Sequence, residues 1–176
     1  MIRGDRLTLR AITRDDLPRY VSWLNDPEVT KHLGHIPPFN LDDETDWFER
    51  QRKDDSVYHL AIDTPDGVHI GSVSLMNIDA RNQKAELGIV IGLKSDWGKG
   101  FGTEAINIML DYGFYTLNLN RIYLRVDTEH FAGITCYQRC GFTQEGELRH
   151  DTFREGQFHN VYLMSILREE YEKRIK

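Results

Sequence analysis

Apolar and polar residues alternate along Arg6-Leu7-Thr8-Leu9-Arg10-Ala11, the period of a half-buried strand. Leu17, Tyr20, Val21 and Leu24 then recur at helical spacing, with Thr13 placed to cap the helix and Asp15 and Asp16 in its first turn. Asn25-Asp26-Pro27 ends that helix. Gly34, Pro37 and Pro38 mark a loop carrying His32 and His35, and Asn40 or Asp42 can open a second helix through Trp47 and Phe48 to about residue 53. Residues 57–63, 68–77 and 84–91 read as strands divided by turns at 63–67 and 79–83, which makes an antiparallel meander. Residues 101–117 read as a helix with Ala105, Ile108, Met109 and Tyr112 toward the sheet, bounded by Asn118 and Asn120. Ile122, Leu124 and Val126 alternate as the next strand, which the intervening helix makes parallel to the one before it through a right-handed crossover. A helix over 132–140 stops at Gly141. A hairpin of 142–149 and 161–166 follows, and the charged tail from 167 forms a short helix. The elements are those of a mixed α/β protein.

Between the strand at 84–91 and the helix lies Trp97-Gly98-Lys99-Gly100-Phe101-Gly102-Thr103-Glu104-Ala105. Glycines there allow positive φ and close approach of a ligand. The first amides of the helix lack intrahelical partners and sit at the positive end of its dipole, a ready site for phosphate. The P-loop spacing fails, because Lys99 lies between Gly98 and Gly100 and no Lys precedes Thr103. A dinucleotide fingerprint fits no better, since the turn falls mid-chain after several strands. A tight strand-to-helix turn with no ligand is the alternative reading.

The 176 residues, 40% hydrophobic and 28% charged, favour one domain over 1–176 with a real core. No run approaches the roughly 18 apolar residues of a membrane span. The first residues lack a signal-like apolar stretch, so the expected location is the cytoplasm, with no membrane partner. A net charge of −6 argues against nucleic acid. Cys136 and Cys140, the only cysteines, sit four apart on a helix and lack metal-ligand or disulfide-framework spacing, so no metal is expected.

Two stretches resemble the GNAT superfamily of N-acetyltransferases. Gly100 and Gly102 match the small positions of its acetyl-CoA pyrophosphate motif, Arg/Gln-x-x-Gly-x-Gly/Ala, after a strand and opening a helix. Trp97 stands where Gln or Arg is common, as in the Trp-Gly-Lys-Gly-Tyr/Phe variant of the ribosomal-protein-alanine acetyltransferase branch. Tyr137 lies four residues before Gly141, and Arg139-Cys140-Gly141-Phe142 matches the usual Lys/Arg-x-Gly-Phe. Two positions depart from the pattern: His130 replaces Asn, and Gly133 replaces Ser or Ala.

The resemblance implies a GNAT-type fold, a mixed and mostly antiparallel sheet of about seven strands flanked by about four helices. It implies acetyl-CoA as co-substrate, with Trp97, Gly98, Lys99, Gly100, Phe101, Gly102 and Thr103 at the pyrophosphate. Backbone groups of Val90, Ile91 and Gly92 would pair with the pantetheine arm, and His130 and Tyr137 would lie along it. The reaction implied is direct attack of a primary amine on the thioester. Tyr137 is then the candidate acid, and Glu86 the candidate base or amine-orienting group, with an ordered-water chain as the other route for the proton. The first helix pair would wall the acceptor pocket. The acceptor is open between a protein N-terminus, a polyamine, an amino acid and an amino sugar. Asp42, Asp43, Glu44 and Asp46 suit a cationic acceptor, or serve as helix-start charges. A homodimer is compatible with the family. The alternative is a non-catalytic acyl-CoA-binding module of the same fold. Retention of Tyr137 favours the enzyme.

Overall fold

The computed structural model describes residues 1–34 and 38–175, so His35 and Pro37 of the first loop lie outside it. Strand β1 (Ile2–Arg3) folds back on β2 (Thr8–Ala11), and helices α1 (Leu17–Leu24), α2 (Pro27–Thr30) and α3 (Leu41–Gln51) follow. Next come β3 (Tyr58–Asp63), β4 (His69–Asp79), β5 (Lys84–Ile91) and helix α4 (Phe101–Asp111). The chain closes with β6 (Arg121–Asp127), α5 (Phe131–Arg139), β7 (Thr143–Arg154), β8 (Gln157–Leu167) and α6 (Arg168–Arg174). One sheet of eight strands runs β1-β2-β3-β4-β5-β6-β8-β7. The strand beyond the expected seven is β1, whose two residues are too short to show alternation.

Every strand pair is antiparallel except β5 with β6, as the crossover helix requires. That parallel pairing covers only Lys84–Glu86 against Arg121–Tyr123. Beyond Glu86, β5 stays with β4 as far as Ile91 while β6 stays with β8 as far as Asp127. The sheet therefore opens between β5 and β6 in its middle.

Helix α4 covers one face of the sheet through Ala105, Ile106, Met109 and Leu110, all fully buried. Ile108 and Tyr112, expected to face the sheet, flank this stripe half-buried. The expected end at Leu117 is a π-turn over Tyr112–Thr116, which rotates Phe114 into the core before Asn118 ends it at φ 56°. On the opposite face, Leu17, Tyr20, Trp23, Val29 and Phe48 form a second cluster under α1–α3. Side chains of β5 divide between the two: Leu87, Ile89 and Ile91 pack on the α4 side, and Val90 packs on the α1–α3 side. Among the described residues, no helix is long and apolar enough to cross a membrane.

Candidate active site

The glycine loop opens α4 without a side-chain cap. Gly98 (φ 73°) and Gly100 (φ 84°) both take the left-handed conformation, and Gly100 is the N-cap residue. With no capping side chain there, the amides of Phe101, Gly102 and Thr103 are left for an anion. A residue the motif did not reveal fixes this loop. Arg6 donates from Nη1 to the Lys99 carbonyl (3.0 Å), pairs through Nε with Glu104 (3.0 Å) and lies 5.1 Å over the Phe101 ring. Glu104, the acidic residue of this first helical turn, is thereby neutralised. Lys99 itself is exposed, with its ammonium on Asp96 (2.8 Å), and it stands outside the cleft below.

A cleft of about 820 Å³ runs from this loop along the gap between β5 and α5. Trp97, Gly98, Gly100, Phe101, Gly102 and Thr103 line one end of it, and Val90, Ile91, His130 and Tyr137 line its length. Gly92 does not line it: its amide donates to the Ile70 carbonyl (2.9 Å), and the residue packs against the Trp23 indole. This bond sets the phase of the whole edge. Alternation in an antiparallel pair aims the amide and carbonyl of Val90 at β4 as well, and those of Ile89 and Ile91 into the gap. The Trp97 indole N–H donates to the Ile91 carbonyl (2.6 Å), which agrees with that orientation. The backbone groups facing the gap thus belong to Ile89 and Ile91, not to a run of 90–92.

Tyr137 projects from α5, half-buried against Phe142 with ring centroids 6.0 Å apart. Burial, and then the neighbouring Cys136 and Cys140, push its hydroxyl well above the ordinary tyrosine range. Cys136 also lines the cleft, with its sulfur 3.3 Å from the Thr103 hydroxyl, whereas Cys140 is buried.

His130 and Gly133, the two departures from the family pattern, explain each other. A Cβ on Gly133 would stand 2.4 Å from Cδ2 and 2.6 Å from Nε2 of the His130 ring. The bulkier side chain at 130 is accommodated only because 133 has none. The ring stacks on His32 (centroids 4.4 Å apart, 13° between planes), and burial followed by His32 pushes His130 down to about 4. Gly→Ala in a helix ordinarily stabilises by about 0.5–1 kcal/mol. Here Gly133→Ala is expected to lower the melting temperature and to weaken acetyl-CoA binding, because the ring must leave its stack. Adding His130→Asn restores both, and a double-mutant cycle on thermal stability yields a favourable coupling of about 0.5–3 kcal/mol. Strictly additive effects would sink this account.

Below the stack, Asp127 ends β6. Its carboxylate is buried, which raises its pKa, but the Glu129 amide, Arg154 and His32 outweigh that and hold it below the usual range. Asp127, Glu129 and His159 lie close enough to share a cation. The guanidinium of Arg154 already serves all three, bonding Asp127, Glu129 (3.1 Å) and His159 (3.4 Å).

A second cleft, about 750 Å³, lies on the other face of the sheet, between α3 and the strands β3–β5. Leu33, Ile89 and Val90 line both clefts, so the two meet at β5 where the sheet opens. Asp43, Glu44 and Asp46 of α3 face the second cleft with Tyr20, Trp47 and, among the described residues, a single Lys or Arg side chain, Arg50. Asp42 does not; it serves the helix start, where Asn40 caps the amides of Asp42 and Asp43. Glu44 is 4% exposed and has no ion-pair partner among the described residues. Burial, then the charge of Asp43, raises its pKa. Glu86, by contrast, lines neither cleft, and its carboxylate accepts from Asn77 Nδ2 (3.0 Å).

Residues 6–143 match the family model for the acetyltransferase (GNAT) domain. The chain is 35% identical over 164 residues to the spermidine N(1)-acetyltransferase of Escherichia coli K12, covering 93% of this chain and 87% of that one. It is 34% identical over 173 residues to the N-acetyltransferase p20 of Bacillus licheniformis, covering 95% and 96%. A crystal structure of spermidine N-acetyltransferase from Vibrio cholerae in complex with CoA and spermine superposes with a TM-score of 0.91 at 31% identity, covering 96% of this chain and 99% of that one. A glycine loop opening α4, a sheet parted beside it and a tyrosine facing the gap thus coincide with matches over nearly the whole chain. The protein belongs to the GNAT acetyltransferase family and is an acetyl-CoA-dependent N-acetyltransferase of amines.

Proposed function

We propose that the acceptor is a polyamine of the spermidine or spermine type, lying in the second cleft with one primary amine at Ile89–Val90. The observation that carries this reading is Glu44, a buried carboxylate that has no ion-pair partner among the described residues, flanked by Asp43 and Asp46 in a cleft where Arg50 is the one Lys or Arg among the described lining residues. A buried charge needs a counter-charge, and ammonium groups spaced along a flexible chain supply several. Trp47 and Tyr20 line the cleft and supply aromatic surface for the methylene segments and the cations between them. The E. coli relative is named for spermidine, and the V. cholerae structure holds spermine, which supports the same class.

On this reading the pyrophosphate of acetyl-CoA takes the amides that open α4, the pantetheine arm pairs with Ile89 and Ile91, and Tyr137 protonates the departing thiolate. Attack is direct. The test is thiol release with spermidine, spermine, amino acids and peptides beginning with Ser or Ala. Polyamines are expected to give the highest kcat/KM. Glu44→Gln is expected to raise KM for spermidine about tenfold or more, the worth of a hydrogen bond to a charged group, with kcat little changed. The raised pKa fixes the sign of the pH effect: KM for wild type climbs as pH falls through it, and the variant lacks that climb. Equal turnover of peptides and polyamines would remove the assignment.

A further inference from the structure

We propose that His32 is the proton acceptor for the incoming ammonium group, oriented by Asp127. This assignment rests on the amine-transfer reading above and adds the missing base. His32 lines the co-substrate cleft, and its chain neighbour Leu33 lines both clefts, so His32 stands on the co-substrate side of the place where the two clefts meet. Its ring is held on an edge and on a face. Nδ1 lies 3.4 Å from Asp127 Oδ2, and the plane stacks on His130. Asp127 is itself fixed without His32, through the Glu129 amide (2.8 Å) and Arg154. With Nδ1 turned to a carboxylate, the ring carries its proton there and keeps its lone pair on Nε2. No described residue bonds Nε2. A buried carboxylate holding the far nitrogen of an imidazole is the arrangement that lets a histidine take up a proton.

Around the ring, Asp127 at the end of β6 faces Nδ1, Glu129 stands in the following turn, and Arg154 of β7 bonds the same Asp127 oxygen. His130 against the face and His159 of β8 beyond Arg154 are the neighbouring imidazoles, and Glu28 and Lys31 of its own segment share the cleft. His130 is held neutral, so a proton taken up on His32 meets no second charge across the stack.

The proton balance is complete. Nε2 takes one proton from the ammonium, and the freed lone pair forms the N–C bond to the thioester carbonyl. The C–S bond breaks and the thiolate takes the Tyr137 proton. The nitrogen, now acylated, returns its extra proton to Tyr137 through water, and His32 releases its own to solvent. One amine cation and acetyl-CoA give an acetamide, CoA thiol and one proton.

His32→Gln keeps a group that can bond Asp127 but cannot accept a proton. Wild-type turnover of spermidine, measured first, carries the acceptor reading; the ratio of variant to wild type carries this one. Acetyl-CoA affinity by calorimetry is expected to stay within about twofold, while kcat at neutral pH falls about 10²-fold, the usual loss of a positioned base. The acidic limb of kcat, measured at saturating spermidine so that the Glu44 effect on KM does not enter, is present in wild type, disappears in His32→Gln and persists in Glu86→Gln. Added imidazole restores turnover to His32→Ala. The assignment is overturned if His32→Gln retains kcat within threefold, keeps the wild-type acidic limb, or if Glu86→Gln is the variant that loses it.

Discussion

Replacing Gly102 with Asp weakens acetyl-CoA binding by about 10²-fold or more while leaving the protein at least as stable as before. The two halves of this result come from different atoms. A Cβ at 102 has room, since its nearest neighbours are Cys136 Sγ at 3.8 Å and Ile89 Cδ1 at 4.0 Å. The residue is inside α4 with ordinary negative φ, so no backbone strain arises. A carboxylate in the first turn also stabilises a helix by about 0.3–1 kcal/mol. The melting temperature therefore holds or rises. The same carboxylate satisfies the amides that would hold the pyrophosphate and adds a negative charge beside it. Two unit charges about 4 Å apart near a surface repel by about 4 kcal/mol, so calorimetry should show affinity lower by about 10²-fold or more. Substitution at Gly100 is the instructive contrast, because φ 84° burdens any side chain there and stability falls along with binding. Undiminished affinity in Gly102→Asp would mean that the α4 N-terminus is not the pyrophosphate site.

The strands and the parted loop were legible because their signals are local. The mostly apolar run at 84–91 marks β5 to the residue, and the glycine spacing after it marks the turn into α4. What was hidden depends on phase or on partners distant in the chain. Sequence places Val90 and Ile91 at the end of a strand with Gly92 just beyond it, but only the Gly92 bond to Ile70 shows that the groups facing the gap are those of Ile89 and Ile91. Arg6 carries no motif, and it matters because β2 begins beside the glycine loop, 93 residues away in sequence from Lys99. The two family departures, His130 and Gly133, read in sequence as separate substitutions. In space they are one adjustment, a ring filling the place of a missing Cβ. His32 was a loop histidine among others until its ring was seen between Asp127 and His130. The acidic run at 42–46 was ambiguous for a similar reason. Helical geometry keeps Asp42 at the helix start, lets Asp43 both close the capping box with Asn40 and line the cleft, and turns Glu44 and Asp46 to the cleft.

Tyr137→Phe lowers kcat by about 10²–10³-fold, within the range of a positioned acid, and leaves acetyl-CoA affinity unchanged. The hydroxyl is suited to donate because burial and the adjacent cysteines oppose its ionisation. It stays protonated across the working range of the enzyme, so the donor never has to be generated. The departing thiolate is the group in the reaction whose negative charge develops late, and a neutral O–H in a partly dry cleft stabilises it more than water does. Phe keeps the ring and its packing on Phe142, so the variant isolates the O–H from the side chain's structural part. Three readouts separate the roles. A lost acid lowers kcat and kcat/KM together, since the interaction exists only in the transition state. A lost packing contact lowers the melting temperature instead, and a lost substrate contact raises KM alone. The pH profile adds a fourth. With the Tyr137 hydroxyl pushed up, an alkaline limb near neutrality belongs to another group and should survive in Tyr137→Phe. Turnover by the variant within threefold of wild type would place the proton donor elsewhere, with Cys136 and Thr103 among the proton-bearing side chains of the same cleft.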